Sequence, residues 1–334
     1  MPYIPEPIMG ESMSSWMFRV RITKRNHINS CLSETVIRSV ALCSDSERQA
    51  KLSFDPDFDL DSPLVGIFCR VYGVTMTYVA EYFRHEVQPT ISRLCATAYC
   101  YECMVSSVRT VGAPHSKVAW RYALTPICTT HGTVLYDAPI EFCGLYDITR
   151  QIFRWHSTNP VAIRLKDRRS EPAEALASLA ARVQTSYMNI RENAVSAATQ
   201  SKIDGYMLTL MRALLMPCAH CFYVKRDFPA VLPKNCFSTD NSWYVSFYQE
   251  VFRTSAGARA TSLFLAGILL GWINEEEAGE LRSINHYMVC TPRHVWAALK
   301  KDTGMLMWLK TELSRNNTDY LSLSSLQEVP RQWR

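Results

Sequence analysis

The stretch that decides the reading runs from Cys100 to Gly132, CYECMVSSVRTVGAPHSKVAWRYALTPICTTHG. It holds two pairs of ligand-type residues at the same offset, Cys100 with Cys103 and Cys128 with His131, with 24 residues between the pairs. Zn2+ prefers four soft or borderline ligands in a tetrahedron, and side chains at i and i+3 of a tight turn converge on one ion. Ordinary buried cysteines and a core histidine rarely repeat one offset twice in so short a span. The spacing therefore predicts Cys3His ligation of a Zn2+ ion by Cys100, Cys103, Cys128 and His131. Four protein ligands leave no open position for water or substrate, so such a metal holds structure and does no chemistry. Around it, residues 96–145 mix Cys, His, aromatic and β-branched types closely, which predicts a small module of short strands and turns with few long helices.

Toward the N-terminus, Met13, Trp16, Met17 and Val20 recur at i, i+3, i+4 and i+7, the stripe of an amphipathic helix. Arg21, Lys24 and Arg25 fall largely off that stripe. A solvated face is the ordinary reading of such cations, and a nucleic-acid or partner contact is the functional one for which these three are the candidates. After an acidic loop at Phe54 to Asp61, Leu64, Ile67, Phe68 and Val71 repeat the helical spacing as far as Tyr72-Gly73. Gly73 suits a left-handed C-cap, and Thr75 or Thr77 can N-cap a second helix carrying Val79, Tyr82 and Phe83. Two helices across a short glycine-containing turn fit a helix-turn-helix, and equally any helical hairpin.

Toward the C-terminus, a long helix is expected from Ser170, with Leu176, Leu179, Ala180, Val183, Tyr187 and Ile190 on its inner face. Arg182, Gln184 and Arg191 are assigned to the outside. Beyond Pro233, Trp243 to Phe252 and Thr261 to Trp272 read as helical, and Thr291-Pro292 opens a further helix. Trp243, Tyr244, Phe247 and Tyr248 can stack on nucleic-acid bases, but at helical spacing they read as core. The polar stretch Ser322 to Arg334 is expected to fray. The expected fold class is mainly α: an N-terminal helical, helix-turn-helix-like domain at 1–95, a zinc-binding module at 96–145 and a helical C-terminal domain at 146–334.

Composition sets the outer bounds. A chain of 334 residues with 48% hydrophobic and 20% charged residues has the make-up of an ordinary globular protein, with room for two or three domains. The 36 Lys and Arg against 31 Asp and Glu leave a formal net charge of only +5. That excludes a protein coated with positive charge for indiscriminate nucleic-acid binding, though local patches occur at Arg19, Arg21, Lys24 and Arg25 and at Arg164, Lys166, Arg168 and Arg169. No signal-peptide pattern opens the chain, and the longest apolar stretch, Leu263 to Trp272, is far below the ~20 residues that cross a bilayer. A cytoplasmic protein with no membrane partner is expected, and in a reducing compartment clustered cysteines serve metal more often than disulfides. Cys218-Ala-His220-Cys221 with Cys236 offers a second set, but His220 stands inside the knuckle, and whether these cysteines hold a second metal is left open. Cys143 stands alone, while Cys31, Cys43, Cys69, Cys95 and Cys290 read as small buried hydrophobes. Glycine-rich phosphate loops, H-E-x-x-H and G-x-S-x-G patterns are all missing, and His85-Glu86 and Glu275-Glu276-Glu277 read as solvated charge, so no enzyme is expected.

The order of the motifs resembles the TniQ family of transposition target-selection proteins. Glu11-Ser12-Met13-Ser14-Ser15-Trp16 with Arg19 looks like that family's opening E-S-x-x-S-W-x-x-R. Asp57-Phe58-Asp59 and the segment through Tyr72-Gly73 resemble its next block, and Cys100, Cys103, Trp120, Cys128 and His131-Gly132 its C-x-x-C, W, C-x-x-H-G pattern. The resemblance covers roughly the first 145 residues. Two departures stand out: Tyr101 where members often have proline, and the single Cys143 where they often have a further cysteine pair. The resemblance implies a non-enzymatic adaptor in a Tn7-like or Tn5053-like element. Its partners would be an AAA+ transposition ATPase, through it a transposase, and target DNA met directly or through an RNA-guided Cascade complex, with a homodimer as a further expectation. The alternative is a stand-alone zinc-stabilised helix-turn-helix regulator of DNA.

Overall fold

The computed structural model describes residues 4–25, 55–85, 87–91, 93–139, 148–159, 171–215, 251–252, 254–284, 291–293, 295, 309 and 311–315. Cys31, Cys43, Cys143, Cys218, His220, Cys221, Cys236, Cys290, the cations at 164–169, the aromatics Trp243 to Tyr248 and the tail from Ser322 lie outside them. The described chain is mainly helical, with one two-stranded sheet, and it divides into two compact units. One comprises residues 1–87, 101–121 and 138–160, the other 88–100, 122–137 and 161–334. The described part of the stretch 96–145 is divided between these two units.

In the first unit, helix α1 (Met13–Arg25) starts at Ser12, whose hydroxyl accepts the Ser15 N–H at 3.3 Å, the N-cap that leaves fewer orphan amides. Met13, Trp16 and Val20 are buried as the stripe predicts, in a core with Val65, Phe68, Cys69, Val79 and Phe83. The Trp16 ring meets Phe68 edge-on at 5.4 Å and tilts against Phe83 at 5.2 Å, and its indole N–H donates to the Pro5 carbonyl at 2.7 Å. Helix α2 (Pro63–Tyr72) ends at Gly73, which takes the left-handed conformation at φ 70° while Val74 N–H reaches back to Cys69 O. Helix α3 (Met76–Phe83) is N-capped by Thr75, which accepts from Tyr78 N–H, and the two helices are bent by 118°. The buried face of α2 is Val65, Phe68 and Cys69, not the expected Leu64, Ile67 and Val71. Ile67 and Val71 are 37% and 40% exposed, because α2 is apolar on more than one side and spacing alone does not choose between them. Tyr82 is half exposed for the same reason.

Residues 96–145 hold one longer element than expected, helix α4 (Tyr101–Val111), followed by a 3-10 turn at Val118–Arg121. Ser116 ties this part to α1: its carbonyl accepts Ser12 N–H, and its N–H donates to the Ser15 hydroxyl at 3.0 Å. Arg121 is held by Asp55 and Asp57, and Asp57 also accepts the Ser14 N–H at 2.7 Å. Helix α5 (Ile148–Thr158) packs on α4, with Ser116 and Thr149 hydroxyls 2.7 Å apart.

In the second unit, strands β1 (Ala98–Tyr99) and β2 (Tyr136–Asp137) pair antiparallel, Ala98 with Asp137 and Tyr99 with Tyr136. The large core is built by α6 (Glu171–Glu192), α7 (Ala197–Leu215) and α8 (Ala256–Leu269), joined by α9 (Glu275–Ile284). Every residue of α8 is buried. Its N-cap is Ser255, and the Asp137 carboxylate accepts the Ala256 N–H at 2.9 Å, negative charge at the positive helix end. Gly267 permits the close packing of α8: a Cβ there would lie 2.3 Å from Val183 Cγ2. Gln184 and Arg191, expected outside α6, are 3% and 2% exposed. Each satisfies polar groups inside, Arg191 pairing with Asp204 at 3.0 Å. The expected helix at Thr261 to Trp272 is α8, begun five residues earlier at Ala256 and ended at Leu269.

Candidate metal centre

Cys100 follows β1 directly and Cys103 lies in the first turn of α4, so strand and helix start between them set the first knuckle. The positive dipole end at that helix start favours negative sulfur. The second knuckle is a hairpin. Ile127 and Val134 face one another in an antiparallel bridge, flanked by Cys128 N–H to Thr133 O at 2.8 Å and Leu135 N–H to Pro126 O at 2.9 Å. Gly132 N–H closes the turn onto Cys128 O, and Gly132 stands at φ 66°, a left-handed position that a side chain would strain.

These elements bring together the four residues that the spacing singled out. One ligand atom from each of Cys100, Cys103, Cys128 and His131 lies within 4.8 Å of all the others, with the three cysteines buried and His131 exposed. Cys100 Sγ is 3.4 Å and Cys128 Sγ 3.6 Å from His131 Nδ1. A tetrahedron with Zn–S of ~2.3 Å and Zn–N of ~2.0–2.1 Å has S–N edges of about 3.6 Å. The donor set and its edges fit a metal ion of that size, and the cluster can hold one.

The surroundings were less visible in the sequence. Tyr101, inside the first knuckle, stacks on His156 of α5 with ring centroids 3.7 Å apart, and its hydroxyl lies 3.3 Å from that of Ser157. Burial holds the His156 imidazole below the usual histidine range. The Ile127 N–H donates to Gln184 Oε1 and the Gln184 amide donates back to Ile127 O, both at 3.0 Å. Arg259 of α8 is fully buried and donates to the carbonyls of Tyr122 and Ala123; burial pushes its guanidinium down to about 10.

The candidate contact cations do not join this cluster. Arg21 is half-buried and close enough to Tyr72 to act on its hydroxyl electrostatically. Lys24 and Arg25 belong to α1, but their side chains lie outside the described residues. Arg19, counted in that basic patch, is buried and paired with Glu11. No helix among the described residues is both long and apolar enough to cross a membrane alone. No family model, curated protein or solved structure matches the chain.

Proposed function

We propose that the chain is a zinc-stabilised adaptor of the TniQ type, which links a DNA target, or a target-bound Cascade complex, to an AAA+ ATPase and a transposase. The observation that carries this reading is the closed Cys3His cluster of Cys100, Cys103, Cys128 and His131, a donor set that suits Zn2+ and leaves it no vacant position. Zinc there organises the chain instead of reacting, which is what an assembly protein requires. The residues of the resemblance also work together: Glu11 clamps Arg19, Ser12 caps α1, Ser15 meets Ser116, Trp16 fills the core and Asp57 holds both Ser14 and Arg121.

The hairpin of α2 and α3 bears on the alternative. A recognition helix reads base edges with Arg, Lys, Asn or Gln near its start. Helix α3, MTYVAEYF, has none of these, and what it exposes is Met76, Thr77, Glu81 and Tyr82. Such a face favours contact with protein over direct reading of DNA.

Purified protein with its metal quantified, tested for capture of an AAA+ transposition ATPase and of a Cascade complex beside a salt-titrated DNA-binding assay, checks the proposal. One zinc per chain and partner-dependent DNA association are expected. Tight, sequence-specific binding by the lone protein would replace the adaptor with the regulator, and protein without zinc would remove the basis of both.

A further inference from the structure

We infer that Gln184 is a positioning residue of the metal centre, through which metal occupancy is coupled to the helical core; this rests on the zinc reading above. In the hairpin that carries Cys128, the ladder bonds are made by Cys128 with Thr133 and by Leu135 with Pro126. The N–H and C=O of Ile127 therefore point to the open edge of the hairpin, where a buried backbone pair without partners would be costly. Gln184 supplies both partners at 3.0 Å, its amide standing in for a third strand. Both backbone groups of the residue immediately before a ligand are thus held by a single side chain.

That side chain has a firm base. Gln184 is buried, and Ala180, Val183 and Tyr187 beside it on α6 are fully sealed in the core of the second unit. Its χ angles are confined, so the amide arrives preorganised, and the Cys128 knuckle cannot shift along α6 without breaking two bonds at once. Groups that orient metal ligands from behind commonly alter metal affinity 10–100-fold when removed. Because coupling is reciprocal, the metal must in turn steady the contact of Gln184 with Ile127.

The test is Gln184→Met, close in size and unable to bond Ile127, measured for Zn2+ affinity by competition with a chelating dye. Leu214→Ala, in the same core, serves as a variant that lowers stability while leaving both bonds from Gln184 to Ile127 in place. A loss of roughly 10–100-fold in Zn2+ affinity for Gln184→Met, with less than about threefold for Leu214→Ala, is expected. Should Gln184→Met fail to fold, the wild-type chain gives the second readout: the side-chain amide signal of Gln184 in NMR must shift or exchange faster once a chelator strips the metal. Equal affinity in wild type and Gln184→Met, or an amide signal indifferent to metal, would overturn the inference and leave the zinc site standing. A wild-type chain that binds no Zn2+ would instead overturn both.

Discussion

Two buried ion pairs show how differently the two units are held. Glu11 and Arg19 meet at 2.6 Å with a second bond from Arg19 Nε, and Arg19 also donates to the Glu6 carbonyl. Arg191 and Asp204 meet at 3.0 Å, with the Tyr187 hydroxyl donating to the same carboxylate at 2.6 Å. Both pairs are nearly sealed from water, so neither adds much net stability over an apolar replacement, whereas loss of one partner leaves a bare buried charge. The first pair ties an irregular segment to α1, beside a cluster of eight buried hydrophobic residues among those described. The second bridges α6 and α7 in a core several times larger. The first pair therefore fastens a segment outside any helix onto a helix, whereas the second fastens two helices that already pack on each other.

The largest effect is expected where the stranded charge has the densest surroundings. Arg191→Met takes the opposing charge away from the buried Asp204, which keeps the Tyr187 hydroxyl as a donor, and should cost about 3–5 kcal/mol, as a cooperative loss of the whole second unit in denaturant unfolding. Adding Asp204→Leu and Tyr187→Phe removes the orphaned groups and should restore most of that loss. A triple variant no better than the single one would mean that the pair itself, and not its imbalance, supports the core.

Glu11→Gln sharpens the contrast. The amide still accepts from Ser15 and Arg19 but no longer compensates the guanidinium, at a cost of up to about 3 kcal/mol. Here the damage should be local. Hydrogen exchange should quicken at Ser12 and Val118, whose N–H groups bond to Ser116 and Gly10, while the amides of α7 keep their protection. Equal loosening of α7 would show that the two units do not respond separately.

The same contrast explains what could be read from the sequence. The Cys3His spacing, the α1 stripe, Gly73 and the Thr75 cap are local, and local geometry acts on them regardless of the rest. Gln184 and Arg191 were assigned outward because they are polar. Yet they stand at i+4 and i+11 from Ala180, on the stripe that continues through Tyr187, and a polar partner on another element makes them inside residues. For α2 and α8 the difficulty was the reverse. A helix apolar on several sides has no single phase, so spacing showed that a helix existed but not which face α2 buries or where α8 begins. Tyr101, a departure from the resemblance, gained its meaning only from His156, more than 50 residues on.

The smallest expected effect comes from protons. His115 is buried in the first unit, with neither ring nitrogen hydrogen-bonded, next to the Ser116 and Lys117 stretch that pairs with Gly10 to Ser12. Burial, with the positive charges of Lys117 and Arg19 nearby, pushes its imidazole down from 6.5 to about 4. The folded chain therefore keeps His115 neutral while the unfolded chain takes up a proton below about pH 6.5. Stability contributed by the neutral ring is complete above that value and is lost progressively as pH falls toward 4. Between pH 7 and pH 5 the loss should be on the order of 2 kcal/mol, from about 1.4 kcal/mol for each unit of pKa difference. The stability gap between wild type and His115→Leu, measured by denaturant unfolding at both pH values, should narrow or reverse by that amount at pH 5, since leucine takes up no proton in either state. A gap that stays constant would place His115 in contact with water or a hydrogen-bond acceptor, and the hold of the Lys117 stretch on the α1 start would then be indifferent to acid.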